Sequence, residues 1–152
     1  IAATRKTTPG FRRYEKRAVR IGGGDPHRFG LDDAFLIKDN HLTVVGSVFK
    51  AVRKAQSYSF GKKVEIEVED LEAAKEAARA SADIILLDNM TPALAKECYL
   101  AIKAIDQRIT VEVSGGIAPK SADGYARSAD VISLGALTHS APALPLSMHI
   151  LE

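Results

Sequence analysis

A chain of 152 residues with 46% apolar side chains and 26% charged ones suffices for one domain with its own core, yet falls short of the roughly 250 residues of a closed eight-unit α/β barrel. No apolar run is long enough to span a bilayer, nothing reads as a signal peptide, and the lone Cys98 excludes an internal disulfide, so a cytoplasmic protein from a reducing compartment is expected. The net charge of +2 hides a division: residues 1–63 carry 14 Lys and Arg against 5 Asp and Glu, and residues 64–152 carry 7 against 14, as if a basic half and an acidic half met over one ligand.

Ile1–Arg5 reads as a strand running straight into Arg5 and Lys6 and stopped by Pro9-Gly10. With no initiator Met and no lead-in element, sequence upstream is expected. Phe11–Ile21 has helical spacing, with Phe11, Tyr14, Ala18 and Ile21 on an apolar face and Arg12, Arg13, Lys16, Arg17 and Arg20 mostly opposite. Gly22-Gly23-Gly24 ends it, and follows a helix rather than a strand, so it is no dinucleotide fingerprint. Ala34–Ile37 is a short apolar strand ending abruptly in Lys38, Asp39, Asn40 and His41, with His27 and Arg28 just upstream. A helix is predicted over Gly46–Ser57. From there the alternation is regular: strand Val64–Val68, alanine-rich helix Leu71–Ala80, strand Ile84–Leu87, helix Pro92–Ile105, strand Thr110–Val113, short helix Ser121–Ser128 and strand Val131–Leu134. Six strands, the first five each followed by a helix, predict a parallel sheet with right-handed crossovers. Leu146–Ile150 alternates again without a preceding helix, the pattern of a strand that pairs elsewhere.

The chemistry-bearing residues recur at strand ends. Arg5 and Lys6 follow the first strand, Lys38 ends the second, Glu67 lies near the end of the third and Asp88 ends the fourth. Ser114-Gly115-Gly116 follows the fifth, and Gly135-Ala136 the sixth with His139 shortly beyond. Parallel neighbours would bring all of these to one rim, where such folds bind ligands. Cations there predict an anionic ligand. Glycine loops after the last strands suit a phosphate, since bare backbone N–H groups approach its oxygens closely. Glu65, Glu67 and Glu69 share one face of their strand, solvated if it is an edge and inward in a barrel, where they need a cation or hydroxyl partner. Asp88 reads as a site residue or as a cap for the helix near Pro92. His27, His41, His139 and His149 match no zinc-ligand spacing, and Cys98, on a helical pattern, reads as a buried thiol.

Thr4-Arg-Lys-Thr-Thr-Pro-Gly, His27-Arg-x-x-Leu-x-Asp, Leu36-Ile-Lys-x-Asn-His, the Glu-x-Glu-Val strand, Leu87-Asp-Asn, Glu112-Val-Ser-Gly-Gly-Ile and Gly135-Ala-Leu-Thr-His-Ser occur in this order. Together they resemble quinolinate phosphoribosyltransferase, a match running from Thr4 to the end of the chain. The resemblance implies an α/β barrel of fewer than eight strands over residues 1–140, incomplete and without the family's N-terminal sandwich domain, to which a tail at 141–152 would return. It implies transfer of phosphoribose from phosphoribosyl pyrophosphate to quinolinate with decarboxylation, giving nicotinate mononucleotide in NAD biosynthesis, Mg2+ as cofactor and a homodimer or higher homo-oligomer. Lys38, Glu67 and Asp88 would be catalytic, with Glu67 and Asp88 holding Mg2+. Arg5, Lys6, His27, Arg28, Lys38, Glu67, Asp88, Ser114, Gly115, Gly116, Gly135, Ala136 and His139 would bind substrate. The alternatives are a relative on the same scaffold, either molybdenum-transport-associated or acting on nicotinate, or a truncated chain with little activity by itself. A nucleic-acid module built on the basic helix is disfavoured, because that helix lacks interleaved stacking aromatics.

Overall fold

A computed structural model describes residues 1–151. Five strands form one parallel sheet in chain order: β1 (Phe35–Ile37), β2 (Val64–Val68), β3 (Ile84–Asp88), β4 (Thr110–Ser114) and β5 (Val131–Ile132). The helices are α1 (Arg12–Ile21), α2 (Asp39–Val45), α3 (Val48–Tyr58), α4 (Leu71–Arg79), α5 (Pro92–Ile105) and α6 (Ala136–His139), with a 3-10 helix at Pro119–Tyr125 between β4 and β5. No helix among the described residues is long and apolar enough to cross a membrane.

Local chemistry sets these boundaries. Ser47, Asp70 and Thr91 accept from the backbone N–H of Lys50, Ala73 and Leu94, satisfying amides that a helix start leaves unpaired. Thr91, not Asp88, therefore caps α5. Gly46, at φ 80°, closes α2 and lets the chain turn before α3. The helix expected over Gly46–Ser57 is thus α3 alone, and α2 leaves little helical signal in the sequence because Thr43-Val44-Val45 has poor helical propensity. His41 Nδ1 accepts from the Lys38 N–H at 2.9 Å and so caps α2.

Two further expectations are corrected. The strand over Ile1–Arg5 shrinks to isolated bridges, Ala2 lying parallel beside Ser133 on one side and Asp25 on the other. It stops there because Thr4–Thr7 turns on itself, with the Lys6 N–H donating to Thr4 Oγ1 at 3.2 Å and the Thr7 N–H to the Arg5 carbonyl at 3.0 Å. The helix over Ser121–Ser128 is the tighter 3-10 turn at Pro119–Tyr125, where Ser121 Oγ bonds the Ala118 N–H. Leu146–Ile150, expected to pair elsewhere, joins no strand among the described residues, and Leu146, Met148 and Ile150 are exposed. Glu152 lies outside the described residues.

The sheet has two chemically different faces. Val64, Ile66, Ile85, Leu87, Val111 and Val113 are buried beneath the helices against Val52, Ala74, Ala77, Ala95, Cys98 and Ile102. Alanines on α4 let helix and sheet approach closely. Residues of opposite parity point the other way. The row of strands continues past β5 through Ala2 to Asp25, and in a flat sheet Asp25 would lie roughly 24 Å from β2, at about 4.8 Å per strand. Yet His27, two residues on, has its Nε2 3.8 Å from Glu65 of β2 and 3.2 Å from Glu112 of β4. The sheet therefore curls on itself into an incomplete barrel, with the second face inside.

Candidate active site

Each of the first four strands sends two residues, spaced i and i+2, into the barrel interior: Leu36 and Lys38, Glu65 and Glu67, Leu86 and Asp88, Glu112 and Ser114. Four upper residues form the rim and four lower ones the floor. With Ala3–Lys6, His27, Arg28, Asn89, Gly115 and Gly116 they line a cavity of about 360 Å3, a size suited to a small ligand. Of the residues expected to bind, Arg5, Lys6, His27, Arg28, Lys38, Glu67, Asp88, Ser114, Gly115 and Gly116 meet here. Gly135, Ala136 and His139 do not line this cavity; His139, with Leu137 and Thr138, borders a separate groove beside α1. His139 Nδ1 pairs with Ser140 Oγ, while the Thr138 hydroxyl donates to the Lys6 carbonyl at 2.6 Å and so braces the loop that carries Lys6.

At the rim, Lys38 Nζ forms an ion pair with Glu67 Oε2, and Asn89 Nδ2 donates to Asp88 Oδ2 at 2.6 Å. Glu67 Oε1 and Asp88 Oδ1 remain outside these contacts. Two hard carboxylate oxygens at an open mouth fit Mg2+, which takes one or two carboxylates and keeps several waters or phosphate oxygens. Glu69, beyond the strand, is exposed.

The cations are held from behind by α1, whose orientation is the reverse of that expected. Phe11, Tyr14 and Ile21 are exposed, whereas Lys16 is buried and Arg12 half-buried. The reason is the neighbouring loops, whose carbonyls need donors. Arg12 Nη2 reaches the Arg5 carbonyl and Nη1 that of Phe29, both at 3.4 Å, and Lys16 Nζ bonds the Pro26 carbonyl. One helix thus ties the Arg5 loop to the Arg28 loop. Burial, followed by the nearby Arg12, pushes the Lys16 pKa down. Arg28 is lowered mainly by burial, with Glu65 opposing. Arg5 Nε is buried without a hydrogen-bond partner, as a donor awaiting an anion would be.

On the floor, Glu65 points inward as a barrel requires of it, whereas Glu112 was not expected as a site residue. Glu65 and Glu112 are 1% and 3% exposed, and neither oxygen of Glu65 has a hydrogen-bond partner. Burial first, then the Glu112 charge, pushes the Glu65 pKa up to about 7. The signal was available: each glutamate precedes a recognised rim residue by two positions, and parity puts both on the same face. A folded pKa above the unfolded value means that Glu65 contributes stability fully present below about pH 4.5 and lost as pH rises through about 7. Glu65→Gln is expected to remove this dependence, so that its stability advantage over the wild type grows across that window by on the order of 3 kcal/mol. Denaturant melts at pH 4.5, 6 and 8 read it directly; a constant difference between the two proteins would refute it.

Away from the barrel interior, Cys98 is fully buried on α5, its thiol pushed up to about 11 by burial first, and it serves the core.

Residues 1–149 match the family model described as quinolinate phosphoribosyl transferase, C-terminal domain. A probable carboxylating nicotinate-nucleotide pyrophosphorylase of Archaeoglobus fulgidus is 48% identical over 155 residues, covering 100% of this chain and 59% of that protein. The carboxylating nicotinate-nucleotide pyrophosphorylase of Homo sapiens is 43% identical over 152 residues, covering 99% and 51%. Among solved structures, a NadC deletion mutant superposes with a TM-score of 0.86 at 48% identity over 92% of this chain and 49% of that one. The Francisella tularensis nicotinate-nucleotide pyrophosphorylase gives a TM-score of 0.83 at 43% identity over 90% and 48%. The chain spans about half the length of the relatives it matches. The family model thus spans residues 1–149, including every strand and every residue lining the barrel cavity, and the chain belongs to the quinolinate phosphoribosyl transferase C-terminal domain family.

Proposed function

We propose that this chain carries the catalytic cavity of a carboxylating nicotinate-nucleotide pyrophosphorylase, acting in the cytoplasm as a homodimer or higher homo-oligomer. In this reading phosphoribosyl pyrophosphate and quinolinate are the substrates, and nicotinate mononucleotide, pyrophosphate and carbon dioxide the products. The observation that carries it is the pairing, in one cavity, of guanidinium groups from Arg5 and Arg28 with the rim set Lys38, Glu67, Asp88 and Ser114–Gly116.

Quinolinate is a planar dianion, and guanidinium forks bind carboxylates bidentately. Arg5 and Arg28 suit its two carboxylates. Lys6 and Lys38 lie where pyrophosphate charge would be met, and the glycine turn after β4 offers amides to the 5′-phosphate. Glu67 and Asp88 suit the ribose hydroxyls. They would also hold Mg2+, which when bound supplies neutralisation of pyrophosphate charge. The ring nitrogen attacks the anomeric carbon, and the bond to pyrophosphate breaks with its electron pair leaving on oxygen. Positive charge at the anomeric carbon develops beside the two carboxylates, which stabilise it electrostatically. The alkylated, cationic ring then accepts the electron pair left on the adjacent carbon as carbon dioxide departs, and that carbon takes a proton. Positioning and charge balance suffice, with no covalent nucleophile.

Calorimetry of the 152-residue chain against quinolinate and nicotinate, each with and without phosphoribosyl pyrophosphate, tests the reading. A second carboxylate held by a charged hydrogen-bonding partner contributes about 1.5–3 kcal/mol, so quinolinate is expected to bind at least about tenfold more tightly than nicotinate. Equal affinities would point to a relative acting on the monocarboxylate.

A further inference from the structure

His27 was expected to donate to substrate, yet both its ring nitrogens are occupied from within the protein. Nε2 lies 3.2 Å from Glu112 Oε2, and Nδ1 receives the backbone N–H of Arg28 at 2.8 Å. An amide pointing at Nδ1 excludes a proton there, so the arrangement is the neutral Nε2–H tautomer donating to Glu112. The Glu112 hydrogen bond, opposed by burial, pulls the imidazole pKa upward, but a second proton requires the Arg28 amide to leave. His27 is also held at φ 57°, a left-handed backbone unusual for a residue with a side chain, with its own N–H on Asp25 Oδ1 at 2.6 Å. Such backbone persists only where its surroundings over-determine it.

We propose that Glu112 is a positioning residue for the carboxylate-binding Arg28, acting through His27. The buried glutamate fixes the ring, the ring takes the Arg28 amide, and the loop that carries the guanidinium is pinned to the barrel wall. Glu65, 3.8 Å from the same Nε2, closes the space into which the ring would otherwise rotate. His27, Glu65 and Glu112 place donor atoms within 4.8 Å of one another, spacing that also suits a metal ion. The tautomer decides against that use: Nε2 carries its proton toward Glu112 and Nδ1 has spent its lone pair on Arg28. Lys16, Arg5 and Arg28 add positive charge around the cluster.

The effect on affinity rests on the function proposed above; the pinning of the loop does not, and the two are read separately. Glu112→Met keeps the volume and removes the acceptor, whereas Glu112→Gln keeps a carbonyl oxygen that can accept from Nε2. In the 15N-labelled 152-residue chain, the wild type and Glu112→Gln are expected to show the His27 Nε2–H tautomer and an Arg28 amide protected from exchange, and Glu112→Met neither. Quinolinate affinity is expected to fall about tenfold or more in Glu112→Met, to stay within about threefold in Glu112→Gln, and phosphoribosyl pyrophosphate affinity to stay unchanged in both. Should Glu112→Met fail to fold, His27→Leu removes the same link from the other side and is expected to expose the Arg28 amide equally. An unchanged tautomer and amide in Glu112→Met, or equal losses in Glu112→Gln and Glu112→Met, would overturn the proposal. If quinolinate fails to bind even the wild type, the function fails while the tautomer and amide still decide the positioning.

Discussion

Replacing Arg28 with alanine is expected to cut quinolinate affinity by about two to four orders of magnitude, since a bidentate contact forgoes two charged hydrogen bonds of about 1.5–3 kcal/mol each. The magnitude follows from how the guanidinium is kept. It lines the cavity, is partly buried, and its side chain forms no hydrogen bond with another described residue, while the nearby Glu65 and Glu112 partly offset the burial that lowers its pKa. Desolvation is therefore met before the ligand arrives, and the ligand's carboxylate collects the full interaction. Arg28→Lys keeps the charge and loses the planar fork, so it is expected to recover only part of the affinity. Melting temperature should barely move, because the loop's own tethers, from Arg12 to the Phe29 carbonyl and from Lys16 to the Pro26 carbonyl, remain. Titration calorimetry with phosphoribosyl pyrophosphate as the control ligand checks this; a parallel loss of both ligands would show that Arg28 supports the cavity and does not recognise the carboxylate.

What could be read from the sequence, and what could not, follows from the range of the forces involved. Val64–Val68 is legible because strict alternation reports a two-faced strand. Lys38, Glu67, Asp88 and Ser114 are legible because burial gives a core strand no use for a polar group at its end, whereas a ligand does. Their convergence followed from parallel topology alone. The floor glutamates needed one more step, counting back two residues from each rim residue. By contrast, α1 reads inside-out, since its apolar stripe is plain while the demand for Arg12 and Lys16 comes from carbonyls of loops distant along the chain. Periodicity reports a helix's own pattern and says nothing about which neighbour lacks donors. Gly135 and His139 do not line the cavity; their segment lies behind the Lys6 loop, which Thr138 braces through the Lys6 carbonyl, a contact between residues 132 positions apart that no local pattern reports. In His27 the residue was legible and its engagement was not, because the partners that occupy its ring are Glu112 on β4 and the backbone N–H of Arg28.

The glycine turn after β4 is the place where a single methyl group is expected to do the most damage. Gly115 stands at φ 94°, where L side chains are strained, and a Cβ there would lie 2.6 Å from the backbone nitrogen of Asn89. That neighbour cannot yield easily. The Asn89 N–H donates to the Ser114 carbonyl at 3.0 Å, joining the ends of β3 and β4, and Asn89 itself sits at φ 53°. Gly115→Ala therefore combines backbone strain of about 1–3 kcal/mol with a steric clash of similar cost, and is expected to destabilise the fold by roughly 2–6 kcal/mol. Gly116, at φ 61° with open space around its Cα, separates the two contributions: Gly116→Ala carries the strain without the clash and is expected to lose no more than about 1–3 kcal/mol. Relief of the clash would drive Asn89 and the Ser114–Gly116 amides apart, moving Asp88 with them. Phosphoribosyl pyrophosphate binding is then expected to fall more steeply in Gly115→Ala than stability alone accounts for. Denaturant melts and calorimetry on the two variants measure both quantities, and equal behaviour of Gly115→Ala and Gly116→Ala would mean that the close approach to Asn89 is not what holds the rim together.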